Sequence, residues 1–364
     1  MYLEDPAITP PRIGKTTLIP ALVCAALSVV LMRIGFFSFF FLAPLGVCMA
    51  VYGPVAAWLG FVFAALGNAV WSIGFSLRYS TGLAGAGMDI LYFTVLSAGF
   101  TWIMAGNPPL ARPPTRSPAG PPIRTLFRFI AASIAGALVF LAMVFSMGRD
   151  ESFSAFIHSQ IEAIASSYIA SSGADAAQQA FLERLLTPDR IIETFTMIII
   201  RGGALVSAFF IFFINRQAAF AFARLFRRHG RRQDKRQGGK PCIAGTAHDL
   251  TGFYAPRKTI WVLSLCLPVI LLCRAISQET VEIAAWNLLV ICVIMFLAQG
   301  GGIVLFNFTS RFRSVIMRLL CGLLLISVVF SPGLNVLALV VLILLGIAEN
   351  WLSLRVKKQE VPDS

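Results

Sequence analysis

The chain has 364 residues, of which 57% are hydrophobic and 13% charged, whereas a soluble domain is roughly half apolar and a quarter charged. A water-soluble fold is therefore excluded, and the long continuous apolar runs select membrane-crossing helices, which satisfy their own backbone groups, over strands. The net charge of +13 resides between those runs, as expected of a threaded membrane protein, so the expected partners are membrane lipids and not nucleic acid.

This pattern predicts an all-α fold: a polytopic transmembrane helical bundle of about ten spans with an external amphipathic helical hairpin. Ahead of the first run, Gly14-Lys15-Thr16-Thr17 resembles the end of a phosphate-binding loop, but Thr9 stands where such a loop needs glycine. No other nucleotide-binding motif is present, so a step driven by ATP would require another chain. The first run passes into a second without a small-x-small cleavage site and reads as an uncleaved span, not a secretory signal.

Spans one to four fall at 17–32, 35–51, 54–74 and 83–105 and form an amino-terminal bundle, residues 1–105. Ala21 and Ala25 stand at the i, i+4 spacing that lets membrane helices approach closely. Arg33, near the end of its span, can reach the interface by extending its side chain. Asp89 lies about two turns inside span four, where a charge costs roughly 2.5–3.5 kcal/mol and is expected to face an interior or a cavity.

Residues 106–122 contain seven prolines and no acid, the composition of an extended cytoplasmic linker. A six-span bundle, residues 123–358, follows, with spans at 126–146, 196–219, 260–276, 283–306, 315–330 and 334–351. Between the first two of these, the external helical segment 149–190 carries six acids and three bases. Phe153, Phe156, Ile157, Ile161 and Ile164 recur there at helical spacing. Ser171-Ser172-Gly173 breaks the pattern, and Asp175 can cap a second helix bearing Phe181 and Leu185.

Arg201 lies in span six, followed by Gly202 and Gly203. An ion pair between Asp89 and Arg201 would offset two desolvation costs and tie the halves together. The cytoplasmic loop 224–258 opens with a stretch, 224–240, of eight bases and one acid, which reads as a topology signal and a contact for anionic lipid. Span eight carries Asn287 near one end and Gln299-Gly300-Gly301-Gly302 near the other. The glycines imply either close helix packing or an unwound cavity wall. Asp89, Arg201, Gln299 and Asn287 are the candidate ligand-binding residues. Glu349 and Arg355 are too far apart for one helical turn, so they need not pair.

The basic segments before span one, after spans four and eight, and at the chain end share one side. This places both termini in the cytoplasm. Seven cysteines and three histidines show no metal-ligand spacing. The cysteines read as small core residues, and no metal or cofactor is expected. Neither a Ser-His-Asp arrangement nor a carboxylate pair is apparent.

Two stretches, Asn287-Leu288-Leu289 through Gln299-Gly300-Gly301 and Gly346-Ile347-Ala348-Glu349-Asn350-Trp351 with Arg355, resemble the YybS-like family of predicted bacterial membrane proteins, whose function is unknown. The resemblance implies an inner-membrane protein of about this span number. The amino-terminal spans are distantly similar to the substrate-binding subunits of energy-coupling-factor vitamin transporters. In those subunits a small-residue face on the first helix docks on a coupling subunit, and Ala21 and Ala25 occupy the comparable place.

The first functional expectation is a membrane protein that binds or transports a small solute without its own ATPase, working alone or with a separate coupling protein. The second is a non-transporting assembly or scaffold factor that meets a cytoplasmic partner through the basic loop and the proline linker. The third, an enzyme acting on lipid-linked substrates, would need Asp89, Arg201 and Glu349 at one membrane depth. The expectation is that the chain is not an enzyme.

Overall fold

The computed structural model describes residues 15–79, 83–105, 122–173, 175–234, 253–311, 333–352 and 354–355, with positions 320, 323, 327 and 331. Among the described residues every regular element is helical. Five helices are long and apolar enough to cross a membrane: Pro54–Arg78, Gly85–Ala105, Thr125–Gly148, Pro188–Ala223 and Glu279–Phe308. Four shorter apolar helices join them, at Thr17–Arg33, Phe37–Tyr52, Thr259–Ala275 and Leu334–Ala348. Each of these nine falls on an expected span. The remaining one, 315–330, lies almost wholly outside the described residues, as do 106–121 of the linker and 235–252 of the basic loop.

The chain divides into two compact units, Met1–Thr115 with Arg128–Ile243 and Arg116–Phe127 with Ala244–Ser364. The first contains α1 (Lys15–Arg33), a 3-10 turn (Gly35–Phe40), α2 (Ala43–Tyr52), α3 (Pro54–Tyr79), α4 (Leu83–Ala105) and most of α5 (Pro122–Gly148). It continues with α6 (Glu151–Ser171), α7 (Ala176–Leu185), α8 (Pro188–Ile198), a π turn (Ile199–Gly203) and α9 (Ala204–Asp234). Its core is aromatic, with Phe100 stacked on Phe212 at 6.4 Å, Phe41 tilted against Phe93 at 5.4 Å and Phe129 against Phe209 at 5.6 Å between ring centroids.

The second apolar run does not form one straight helix. It breaks between the 3-10 turn and α2, leaving backbone groups that cannot be left unpaired in an apolar interior. Asn215 of α9, fully buried, supplies their partners. Its Oδ1 accepts from the Leu42 N–H at 3.0 Å, and its Nδ2 donates to the Phe39 carbonyl at 2.7 Å and to its own Ile211 carbonyl at 2.8 Å. Pro44 at the start of α2 and Pro54 at the start of α3 fit positions where a helix needs no N–H. The chain turns between these helices at Gly53, whose φ of 91° lies in the region that favours glycine.

The 149–190 segment folds as two helices, α6 and α7, broken at Gly173 (φ 60°). As the pattern predicts, Asp175 caps α7, its carboxylate accepting from the Gln178 N–H at 2.8 Å. The sixth span starts earlier than hydropathy suggests, because α8 leads into it from Pro188. It is also bent: the π turn contains Arg201 (φ −80°, ψ 20°) and Gly202 (φ 126°), neither of them helical. A single-turn π segment is a common cause of a break in an otherwise continuous helix.

The second unit contains α10 (Thr259–Ala275), α11 (Glu279–Arg311) and α12 (Leu334–Ala348), with α11 packed against both neighbours. Cys24, Cys48, Cys266, Cys273 and Cys292 are buried and free, in keeping with their reading as core residues.

Candidate functional site

The 299–302 stretch remains helical within α11, so it forms no unwound wall, and Gly300 serves close packing. A methyl group added at Gly300 would overlap the carbonyl oxygen of Leu342, and one added at Gly346 would overlap that of Phe296. The backbones of α11 and α12 therefore touch, each helix contributing a glycine where the other approaches. This crossing fixes which side chains meet beside it. Gln299 precedes Gly300 on α11, and Glu349 follows Gly346 by three residues, just beyond α12.

Gln299 is 1% exposed and almost fully hydrogen-bonded. Its Oε1 accepts from the Ala255 N–H at 2.9 Å, in the segment leading into α10, and its Nε2 donates to Glu349 Oε2 at 3.0 Å. Glu349 and Arg355 do pair, which the spacing argument left open, with Arg355 donating to Glu349 Oε2 at 2.9 Å. That argument assumed a continuing helix, whereas α12 stops at Ala348. Tight turns follow, with Asn350 N–H to Ile347 O at 3.1 Å and Trp351 N–H to Ala348 O at 3.0 Å. The Asn350 side chain also donates to Ile347 O at 2.9 Å, a bond that competes with helix continuation. The chain then folds back, and Arg355 donates to the Gln299 carbonyl at 3.1 Å. Its guanidinium lies over the Tyr254 ring, 4.5 Å from the centroid.

The side chains of Arg355 and Glu349 are 3% and 2% exposed. Beside them is a cavity of about 270 Å³ lined by Tyr254, Ala255, Arg257, Gln299, Glu349, Asn350 and Arg355. Glu349 Oε1, the carboxylate oxygen not used by Gln299 and Arg355, is buried without a hydrogen-bond partner. Such an oxygen costs about 1–3 kcal/mol unless a donor reaches it. Arg257 is exposed on the cavity lining. The arrangement can hold a small polar molecule that brings a donor to Oε1.

The other expected site residues lie elsewhere. Asn287 sits three turns earlier on α11, about 18 Å away by helical rise, and donates to its own Ile283 carbonyl at 2.9 Å. In the first unit, the base that meets Asp89 is Arg33, not Arg201. Arg33 donates to Asp89 Oδ2 at 2.5 Å, to Asn68 Oδ1 at 2.6 Å and to Ser72 Oγ at 2.9 Å, while the Ser72 hydroxyl donates to Asp89. Arg33 ends α1, which crosses α3 so that these groups stack at one level, and a partner so near removes the need for a distant one. Arg201 instead occupies the π turn.

Ala21 and Ala25 are 0% and 3% exposed. A methyl built on Gly60 of α3 would lie 3.4 Å from the Ala21 carbonyl oxygen, so this small-residue face is used within the chain. Removing the Asp89 carboxylate should leave Arg33 without its counter-charge. Asp89→Leu is expected to cost about 2 kcal/mol, and the double variant Arg33→Met with Asp89→Leu should recover most of it. Denaturation of wild type, Arg33→Met, Asp89→Leu and the double variant in detergent, as a double-mutant cycle, measures this coupling.

Sequence reasoning missed Asn215 and Arg216, although both interrupt the sixth span within its apolar run. Arg216 is 9% exposed, its guanidinium lying between Phe220 at 4.9 Å and Phe129 at 5.9 Å. The signal was present as an Asn-Arg pair inside a long hydrophobic stretch. Among the described residues, no three His, Cys, Asp or Glu side chains stand together as a metal site would require. No protein-family model matches the chain, and neither a curated protein nor a solved structure matches it.

Proposed function

We propose that this helical membrane protein binds a small polar solute in the cavity bounded by Gln299, Glu349 and Arg355. The bound solute would be carried across the membrane without an ATP-driven step on this chain. The observation that carries the reading is Glu349 Oε1, a buried acceptor left without a donor beside a cavity of about 270 Å³. Ligand sites are concave, and a few convergent polar groups give them specificity. That volume lies just below the range for drug-sized ligands, which suits a small metabolite.

In the same reading the chain crosses a bacterial inner membrane about ten times with both termini in the cytoplasm, and α6 and α7 lie outside. The bases following spans four and eight support this orientation. The cavity then opens at the cytoplasmic interface.

The test is thermal unfolding of the purified full-length chain in detergent against amino acids, amines, sugars, organic acids and phosphates. A solute at about a hundred times its Kd should stabilise the protein by about 2.7 kcal/mol. Glu349→Gln should abolish that shift, since it replaces an acceptor with a donor at nearly the same volume. A shift that survives the substitution would place binding elsewhere, and no shift across the panel would remove the reading's support.

A further inference from the structure

We infer that the ligand of this cavity is a zwitterion, a molecule carrying an ammonium group close to a carboxylate or phosphate. The inference rests on the proposed binding site and concerns the chemistry the site would select. Glu349 shares one oxygen with Gln299 and Arg355, and its charge is matched by the Arg355 guanidinium at 2.9 Å. The pair sums to zero. Its second oxygen is a buried acceptor without a donor, and a group with several N–H bonds fills that vacancy best, because charge-assisted bonds are about twice as strong as neutral ones.

A simple cation does not suit the rest of the lining. Arg257 stands on the same cavity, and its guanidinium makes no ion pair among the described residues, so the lining carries one positive charge beyond the neutral pair. A lone ammonium would be repelled by it, and a lone anion would face Glu349 Oε1. A ligand that turns its ammonium to Glu349 and its anionic end to Arg257 satisfies both.

Two sources carry this chemistry: a free amino acid or phosphoethanolamine, and the headgroup of phosphatidylethanolamine. The second has a physical basis in the exposed Trp351 and Leu352 immediately after the site, at 70% and 57% exposure. Tryptophan in particular is enriched at the headgroup level of a membrane.

The experiment compares glycine and phosphoethanolamine with ethanolamine and acetate in thermal unfolding of the full chain in detergent. It adds bilayer nanodiscs of phosphatidylethanolamine or phosphatidylglycerol. Zwitterions are expected to bind at least tenfold more tightly than either single-charge probe. Arg257→Gln, an exposed position where folding is not at risk, should weaken them about tenfold, and Glu349→Gln should abolish binding. Stabilisation by both glycine and phosphoethanolamine supports the free source. Stabilisation only in phosphatidylethanolamine nanodiscs, lost in Glu349→Gln, supports the lipid source.

Ethanolamine or acetate binding as tightly as the zwitterions would overturn the inference while leaving the site intact. So would a Glu349-dependent sugar in the wider panel with no zwitterion active. Absence of any Glu349-dependent ligand would overturn both readings together.

Discussion

Arg355→Met is expected to destabilise the α10–α12 unit by about 3–5 kcal/mol, the usual cost of removing one partner from a buried ion pair. The reason is the 2% exposure of the Glu349 side chain. Without the guanidinium, the carboxylate keeps one bond, from Gln299 Nε2 at 3.0 Å, and loses its paired cation. The Gln299 carbonyl and the Tyr254 ring lose their arginine contact as well. Replacing both members, Arg355→Met with Glu349→Leu, should restore much of the loss, because two apolar side chains leave no buried charge. Unfolding midpoints of the single and double variants in detergent decide it. A single variant within about 0.5 kcal/mol of wild type would mean that water reaches the pair.

Gly346→Ala should be the next most damaging change despite adding a single methyl. Its carbon would overlap the Phe296 carbonyl oxygen and lie 3.1 Å from Gly300 N. A flexible side chain could move aside, but these are helix backbone atoms held by their own hydrogen bonds. The helices must separate, at the 1–3 kcal/mol typical of an overpacked core and toward its upper end. Gly300→Ala faces the same obstacle at Leu342. Gly301→Ala is the control, since nothing lies within 4 Å of a methyl built there. The expected order of thermal stability is wild type, close to Gly301→Ala, and then both other variants well below. Separation should also weaken the Gln299–Glu349 bond and any solute binding that depends on it.

The environment and helical class were legible because membrane spans are written in composition: a run of apolar residues must be helical whatever its neighbours do. The Asp175 cap was legible for a similar reason, since it depends on four consecutive residues. Gln299 could be singled out because an amide beside three glycines is conspicuous in an apolar run. Its partners could not be read, since Ala255 and Glu349 come from distant segments brought together by the helix crossing. Helical spacing could not foresee the Glu349–Arg355 pair because it assumes a helix that here ends at Ala348. Asp89 was correctly marked as needing a counter-charge. The choice of Arg33 depends on how α1, α3 and α4 stack, which no local pattern encodes.

The touching backbones of α11 and α12 have a mechanical consequence. The touches fall at two places on α12, Leu342 and Gly346, four residues or about 6 Å apart along the axis. A helix held at two incompressible points cannot rock about either of them. The last two turns of α12, next to Glu349, are therefore braced, while its start at Leu334 lies twelve residues, about 18 Å, from Gly346. Bending of α12 is thereby confined to the end far from the carboxylate.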